Sequence, residues 1–251
     1  MSRILFLTDL HGASVYVQPF LKQEPQADVV LLGGDLTNFG RGAEAAAMVE
    51  PLRGQYRHVL GVHGNVDHAG VLAWLEAEAL SLHGRGVFIG DIGVYGCGGS
   101  NRTPLHTPSE YEEQAIARVL GQGRGQITGA TVHVVISHAP PMGTGADLMF
   151  AGKHVGSTAV RALLAEHWPA LCLCGHIHEA ACVESFGRTT IVNPGPFAGG
   201  HYAVVELAEG RVNATLRRVQ VDRATHVRAT VTGSAGKLVG FARHRWGQPR
   251  S

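Results

Sequence analysis

The stretch Leu171-Cys172-Leu173-Cys174-Gly175-His176-Ile177-His178-Glu179 constrains this chain more than any other. An apolar run reads as a buried strand, and a glycine ends it. Two histidines follow at i and i+2, a spacing that in extended backbone puts both imidazoles on one side of the chain. Imidazole is the commonest side-chain metal ligand, so a strand that stops at a glycine and presents this pair can close a metal site at its carboxyl end. In a chain with 15 histidines a lone His-x-His also fits an incidental loop. The pair gains meaning only if carboxylates join it.

Three upstream segments supply candidates. Arg3-Ile4-Leu5-Phe6-Leu7-Thr8 is apolar without alternation, as in a strand of a covered sheet, and leads into Asp9-Leu10-His11. Asp28-Val29-Val30-Leu31-Leu32 runs into Gly33-Gly34-Asp35, and Arg57-His58-Val59-Leu60-Gly61-Val62 into His63-Gly64-Asn65-Val66-Asp67. Helical spacing over 14–23, with Val17, Phe20 and Leu21 on one face, and over 42–53 separates these strands, and a third helix is expected near 69–79. This βαβαβα order predicts strands in one sheet with right-handed crossovers. It places Asp9, Asp35 and Asn65 at the carboxyl ends of their strands, where open α/β sheets build sites.

Downstream, residues 86–99 read as a hairpin or edge strands. Thr107-Pro108-Ser109-Glu110 has the form of a helix start, with a Thr cap, Pro first and Glu third, for a helix over 111–120 followed by a glycine-rich loop at 121–129. Residues 131–136 form a buried strand ending at Ser137-His138. A polar loop over 143–156 carries Asp147, Lys153 and His154, and a helix over 158–167 leads back to the opening stretch. Segments 181–186 and 189–192 flank Gly187 as a hairpin, Asn193-Pro194-Gly195-Pro196 is a rigid turn, and 202–207 and 211–219 pair around Glu209-Gly210.

A chain of 251 residues suits one α/β domain, and 45% hydrophobic with 16% charged residues excludes a disordered chain. The formal net charge of +1 gives no argument for a nucleic-acid or membrane partner, and no apolar run is long enough to span a bilayer. Asp9 interrupts the first apolar run too early for a signal peptide. Cys97, Cys172, Cys174 and Cys182 contain no C-x-x-C pair and read as buried thiols of a reducing compartment, so a cytoplasmic protein is expected. Beyond Asp222 there is no acidic residue, while Arg223, Arg228, Lys237, Arg243, Arg245 and Arg250 occur. Residues 1–221 are therefore expected to be the folded domain and 222–251 a basic, poorly ordered extension. Such a tail can touch nucleic acid, but a solvated terminus is the simpler reading.

Asp9, His11, Asp35, Asn65, His138, His176 and His178 all follow strands and all carry oxygen or imidazole donors. Seven donors are too many for one ion and suit two that share a carboxylate. Asp35, between the others in chain order, is the bridging candidate. Carboxylate, amide and imidazole suit divalent transition metals such as Mn, Fe, Zn or Co. Two such ions about 3.5–4 Å apart clamp the attacking and leaving oxygens of phosphoryl transfer and lower the pKa of bound water, so a bridging hydroxide can attack phosphorus. Ser137 beside His138 lacks a G-x-S-x-G elbow, and neither a Walker A loop nor a G-x-G-x-x-G is present where a nucleotide fold needs it.

Asp9-Leu10-His11, Gly34-Asp35, Gly64-Asn65, His138 and Gly175-His176-Ile177-His178 resemble, in order, the motif blocks of the calcineurin-like metallophosphoesterase superfamily. The likeness extends through Asn193-Pro194-Gly195, and the runs from Gly33 to Gly40 and from Gly98 to Asn101 look like a prokaryotic group of small phosphoesterases related to Icc-type cyclic nucleotide phosphodiesterases. The resemblance implies a four-layer α/β/β/α sandwich with the site at the carboxyl edge of its sheets. It implies a first metal on Asp9, His11, Asp35 and His178 and a second on Asp35, Asn65, His138 and His176. Asp35, Asn65 and His138 would be catalytic, and Asp67, His68, Asn101 and Arg102 would stand behind the ligands or against substrate.

One position departs from the pattern. The family often has histidine directly after the asparagine, and here Val66 stands there, which removes the usual acid for the leaving group. The expected function is a metal-dependent phosphoesterase acting on small phosphodiesters. A catalytically weak scaffold of the same fold and a nuclease using the basic tail are the alternatives. The oligomeric state stays open.

Overall fold

A computed structural model of the protein describes residues 2–208 and 211–221. In chain order it runs β1 (Ser2–Leu7), α1 (Val17–Gln23), β2 (Val29–Leu32), α2 (Gly42–Arg53), β3 (Val59–Gly61), α3 (Ala69–Ala77), β4 (Gly86–Ile89), β5 (Ile92–Cys97), β6 (Ser100–Asn101) and β7 (Glu110–Tyr111). It continues through α4 (Glu113–Gly125), β8 (Val132–Ser137), α5 (Thr158–His167), β9 (Leu171–Cys174), β10 (Cys182–Phe186), β11 (Thr189–Asn193), β12 (His201–Ala208) and β13 (Arg211–Arg218). The first sheet has the order β13-β12-β1-β2-β3 and the second β10-β11-β9-β8-β5-β4. β1, β2 and β3 are parallel, as the βαβαβα order requires, and β12 lies antiparallel to β1 with β13 antiparallel outside it. In the second sheet β5, β8, β9 and β11 are parallel, with antiparallel β4 and β10 at its edges.

The unalternating apolar strands are explained by what covers them. Ile4, Phe6, Val29, Leu31, Val94, Val134, Ile136, Leu173 and Val205 meet in one buried cluster between the sheets. The opposite faces bury residues as well. Val135, Cys172 and Ile191 of the second sheet pack with Ile116 and Leu120 of α4 and Val160 and Leu164 of α5. On the first sheet Phe20 of α1 lies edge-on against Tyr202 of β12 at 5.1 Å between ring centroids and against Phe197 at 5.7 Å. The layers are α/β/β/α. The carboxyl-terminal strand ends that lead to candidate ligands therefore project from sheets held rigid on both faces.

Two expectations fail at α4. Thr107-Pro108-Ser109-Glu110 does not start a helix: Glu110 and Tyr111 form the short strand β7, parallel to β6, and the helix begins at Glu113. Nor is 121–129 a loop, because α4 continues to Gly125. Ile116, Leu120 and Gly123 keep one buried face. A Cβ on Gly123 would come within 3.1 Å of the Arg85 carbonyl and of Tyr95 Cβ, so the helix needs a glycine there to lie against the sheet. Burial of that face outweighs the cost of glycine in a helix, about 1 kcal/mol. Residues 86–99 form a hairpin, but only β4 is an edge strand, since β5 is paired on both sides. The turn at Glu209-Gly210 and the basic extension from Asp222 onward lie outside the described residues.

Phe20 pins α1 to the first sheet through three aromatic neighbours, Tyr202, Phe197 and Tyr56. Phe20→Ala is expected to cost about 3–5 kcal/mol, read as a lower urea midpoint at unchanged slope. A loss below about 1 kcal/mol would mean that α1 is held elsewhere.

Candidate metal centre

Seven side chains predicted from the sequence come from the ends of five strands, in both sheets. Asp9 and His11 follow β1, Asp35 follows β2, Asn65 follows β3, His138 follows β8, and His176 and His178 follow β9. Asp9, His11 and His178 offer donor atoms that all lie within 4.8 Å of one another, and so do Asp9, Asp35 and His138. His11 Nε2 and His178 Nε2 are 3.2 Å apart, and His178 Nε2 is 3.3 Å from Asp9 Oδ1. His138 Nε2 lies 2.9 Å from Asn65 Oδ1 and 3.5 Å from Asp35 Oδ2. The His176 ring meets the His138 ring edge-on at 5.1 Å. Asp35 Oδ2 faces both halves, as a shared carboxylate would, but Asp9 also belongs to both groups.

The backbone is bent to achieve this. Asp9, His11, Asp35 and His176 have φ of 54°, 45°, 47° and 70°, so four of the eight non-glycine residues with positive φ among the described residues are candidate ligands. Such conformations cost of order 1–3 kcal/mol each and concentrate where function requires them. Each glycine before a ligand is equally forced. A Cβ on Gly34 would meet His138 Nδ1 at 2.6 Å, one on Gly64 would collide with Asp35, and one on Gly175 with Thr8 and Asp9. The Gly34-Asp35, Gly64-Asn65 and Gly175-His176 pairs exist because loops of two sheets approach closer than any side chain permits.

Electrostatics follows from burial of two carboxylates. Burial pushes Asp9 up, but the hydrogen-bonded His178, with His138 and His11, outweighs it and holds the carboxyl well below its usual range. Burial likewise raises Asp35, and His138 and His11 reverse the shift. Burial alone would lower His138, but the Asp35 charge and hydrogen bond, with Asp9, raise it to about 9. Burial and neighbouring His138 lower His176 to about 4, so its ring is neutral with a lone pair to give. The Gly33 carbonyl, 2.8 Å away, can only accept and so fixes a proton on His138 Nδ1. This leaves Nε2 as the ligand atom, the arrangement seen when a carbonyl orients a metal-binding histidine. Its neighbours Asn65 Oδ1 and Asp35 Oδ2 are acceptors, so Nε2 there must carry a proton or face a cation. The donor set fits a divalent transition metal.

Other residues singled out from the sequence stand behind this centre or away from it. Asp67 is buried, and its carboxylate accepts from the backbone N–H of Gly64, Leu36 and Thr37 and from the Thr37 hydroxyl at 2.7–3.0 Å. Burial and the Asp35 charge raise its pKa against those bonds. It ties the Asp35 and Asn65 loops together. His68 sits at the start of α3, with its N–H on the Gly40 carbonyl. Asn101 donates to the Val155 carbonyl, and Arg102 pairs with Glu112 on the surface. His154 pairs with Asp147 and is engaged within its own loop. His63 is buried against Tyr111 and His83.

Three further residues support the donor set; Thr8 and Thr107 had no sequence signal as site residues, and Asn193 had only its place in the Asn193-Pro194-Gly195 motif. Thr8 donates to Asp9 Oδ2, Thr107 accepts from Asn65 Nδ2, and Asn193 Nδ2 donates to the Ile177 carbonyl between the two histidines. A cavity of about 670 Å³, lined among others by Asp91, His133, Trp168 and Arg188, lies at the opposite strand ends and contains none of these ligands.

A family model described as "Metallophosphoesterase, calcineurin superfamily" matches residues 125–216, a span that holds His138, His176 and His178. An uncharacterised protein of Methanocaldococcus jannaschii, MJ1162, is 36% identical over 199 residues, covering 77% of this chain and 88% of that protein. The crystal structure of TT1561 of Thermus thermophilus has a TM-score of 0.67 at 19% identity, covering 87% of this chain and 99% of that one. A dimetal phosphatase from Danio rerio has a TM-score of 0.57 at 11% identity over 87% of this chain and 99% of that one. The match places residues 125–216 in the calcineurin superfamily of metallophosphoesterases, and the solved neighbours share the fold of the chain. No helix among the described residues is long and apolar enough to cross a membrane.

The pKa directions give a signed test in protein stripped of cations. His138 is raised from 6.5 to about 9, so its contribution to stability is full below about 6.5 and is lost as pH rises through about 9. Asp9 and Asp35 are depressed from 3.8, so theirs is present above that value and lost on acidification. The melting temperature of chelator-treated protein should fall between pH 6.5 and 9, and His138→Gln should reduce that fall, leaving the part due to His178. A profile flat over this range in the native sequence would contradict the His138–Asp35 pairing.

Proposed function

We propose that this chain is a phosphoester hydrolase that uses two divalent cations, of the manganese, iron, zinc or cobalt kind, and prefers small phosphodiesters. One observation carries the reading: Asp35 Oδ2 lies 3.8 Å from His11 Nε2 and 3.5 Å from His138 Nε2, with Oδ1 held by the Val66 N–H at 3.0 Å. A single carboxylate oxygen thus stands between two imidazole sets. Asp9, His11 and His178 would complete one side, and Asn65, His138 and His176 the other. Bound there, two cations supply charge neutralisation at the phosphoryl oxygens and activation of water near neutral pH. The chain's own part is to hold the phosphorus between both sets and to keep His138 oriented through Gly33. The preference for diesters rests on the likeness to the Icc-related group. Every ligand position holds a competent donor, which favours an enzyme over a scaffold.

Four unpaired cysteines, three of them buried, agree with a reducing, cytoplasmic setting. The activity is assigned to residues 1–221, and the segment 222–251 has no part in it.

A panel of phosphoesters assayed with several divalent metals after chelation tests the reading. Metal-loaded protein should turn over an aryl diester, and Asp35→Asn should lose bound metal and nearly all activity while keeping its fold. Full activity in that variant would rule out the shared carboxylate.

Val66 shapes the substrate range. It is half-buried, gives Asp35 only a backbone N–H, and its side chain has no proton for a departing oxygen. General acid catalysis is typically worth about 10²–10⁴-fold. Rates across diesters of graded leaving-group pKa should therefore fall steeply, with nitrophenyl far ahead of alkyl esters, and Val66→His should flatten the series. A flat series in the native sequence would mean that another acid serves, and steepening by His68→Ala would identify it.

A further inference from the structure

We propose that Thr107, itself held by Glu110, is a positioning residue that turns the Asn65 amide so that its oxygen faces the metal centre, a proposal that rests on the dinuclear reading above. Glu110 Oε1 accepts from the Thr107 hydroxyl at 2.7 Å and from the Thr107 N–H at 2.8 Å, and Oε2 accepts from the Thr103 N–H at 3.1 Å. Partial burial would raise this carboxyl, but the threonine bonds outweigh it and bring it to about 2, so it is ionised and only accepts. The hydroxyl hydrogen of Thr107 is thereby committed to Glu110. Only lone pairs remain toward Asn65, whose side chain lies 2.9 Å away. A partner that can only accept demands a donor, so Asn65 must present Nδ2 to Thr107. Oδ1 then points the other way, to His138 Nε2 at 2.9 Å.

In the cation-free protein a His138 Nε2–H makes the same demand from the other side, but once Nε2 faces a cation only Thr107 is left to make it. The two ends of an amide have almost the same shape, and a flip exchanges a ligand oxygen for an NH2 group with no lone pair to give. Asn65 is 4% exposed, so water has little room to substitute for Thr107. The loop that delivers Thr107 is fastened to the Asn65 segment independently. The Ser109 N–H donates to the Asn65 carbonyl at 2.9 Å, and the Ser109 hydroxyl to the Asp67 carbonyl at 2.7 Å. His106, directly before Thr107, has φ of 50°, a strained turn in the residue that leads into the contact.

The test compares the native sequence with Thr107→Val, which keeps the branched shape and removes the hydroxyl, Thr107→Ser, which restores it, and Glu110→Met. Each is stripped with chelator and titrated with Mn²⁺ alone. Bound ions are counted and their affinities measured, and melting of the stripped protein checks the fold. Thr107→Val is expected to lose roughly 10–100-fold in affinity for one of two ions, with affinity for the other ion unchanged and the stripped protein still melting cooperatively. Thr107→Ser should recover most of the loss. Glu110→Met, which keeps the length but removes the acceptor and so frees the hydroxyl hydrogen, should fall between and serves if the valine variant does not fold. Native-like binding of both ions by Thr107→Val and Glu110→Met would overturn the proposal while leaving the dinuclear reading intact. Fewer than two ions on the native sequence would overturn both.

Discussion

Two carboxylates, Asp9 and Asp35, buried where the edges of two sheets meet, are the constraint on which the rest of the site depends. Each is almost wholly withdrawn from solvent, 1% and 3% exposed. Buried charge is tolerated only when paired and hydrogen-bonded. The chain answers with imidazoles of both sheets around them, with Thr8 and the His176 N–H on Asp9, and with the Val66 N–H on Asp35. The histidines compensate the carboxylates, and the carboxylates in turn raise His138 and His178 against the effect of burial. A cluster in which Asp9, Asp35, His138 and His178 sustain one another's charges is one that divalent cations can enter by displacing protons.

Placing those groups requires backbones closer than side chains allow. This explains why a glycine precedes three ligands and why four ligands themselves take positive φ. The strain is tolerated because the strands behind it are covered on both faces: β1 alone buries Ile4 and Phe6 toward the second sheet and Leu5 and Leu7 on its other face. The α/β/β/α layering is therefore what lets strand-end loops hold unfavourable conformations.

The candidate ligands are legible in the sequence because each is a local event, an apolar run that stops at a glycine or an acid. Helices 42–53 and 158–167 were legible too, since their apolar spacing agrees with their packing. The reading failed where the two disagree. Glycines at 121, 123 and 125 suggest a loop, yet Gly123 is the residue that permits α4 to touch β5. The shared use of Asp9 by both donor groups was also hidden, because it depends on how far the two sheets approach each other.

The misread helix start shows most directly what sequence cannot carry. Threonine followed at the third position by glutamate is the local chemistry of a capping box, and one bond of that chemistry is present, with Glu110 accepting from the Thr107 N–H, while the Thr107 hydroxyl donates to the Glu110 carboxylate instead of accepting from its N–H. No helix follows there: Glu110 and Tyr111 pair with Ser100 and Asn101, and the hydroxyl accepts from Asn65, 42 residues earlier. The Gly33 carbonyl that orients His138 is 105 residues from it in the chain. Groups that coordinate are announced by their own strand, whereas groups that aim them come from other loops and use motifs with a commoner meaning. A site of this kind is thus half visible in the chain: its donors can be named from the sequence, and the bonds that decide which atom of each donor faces inward exist only once the sheets have met.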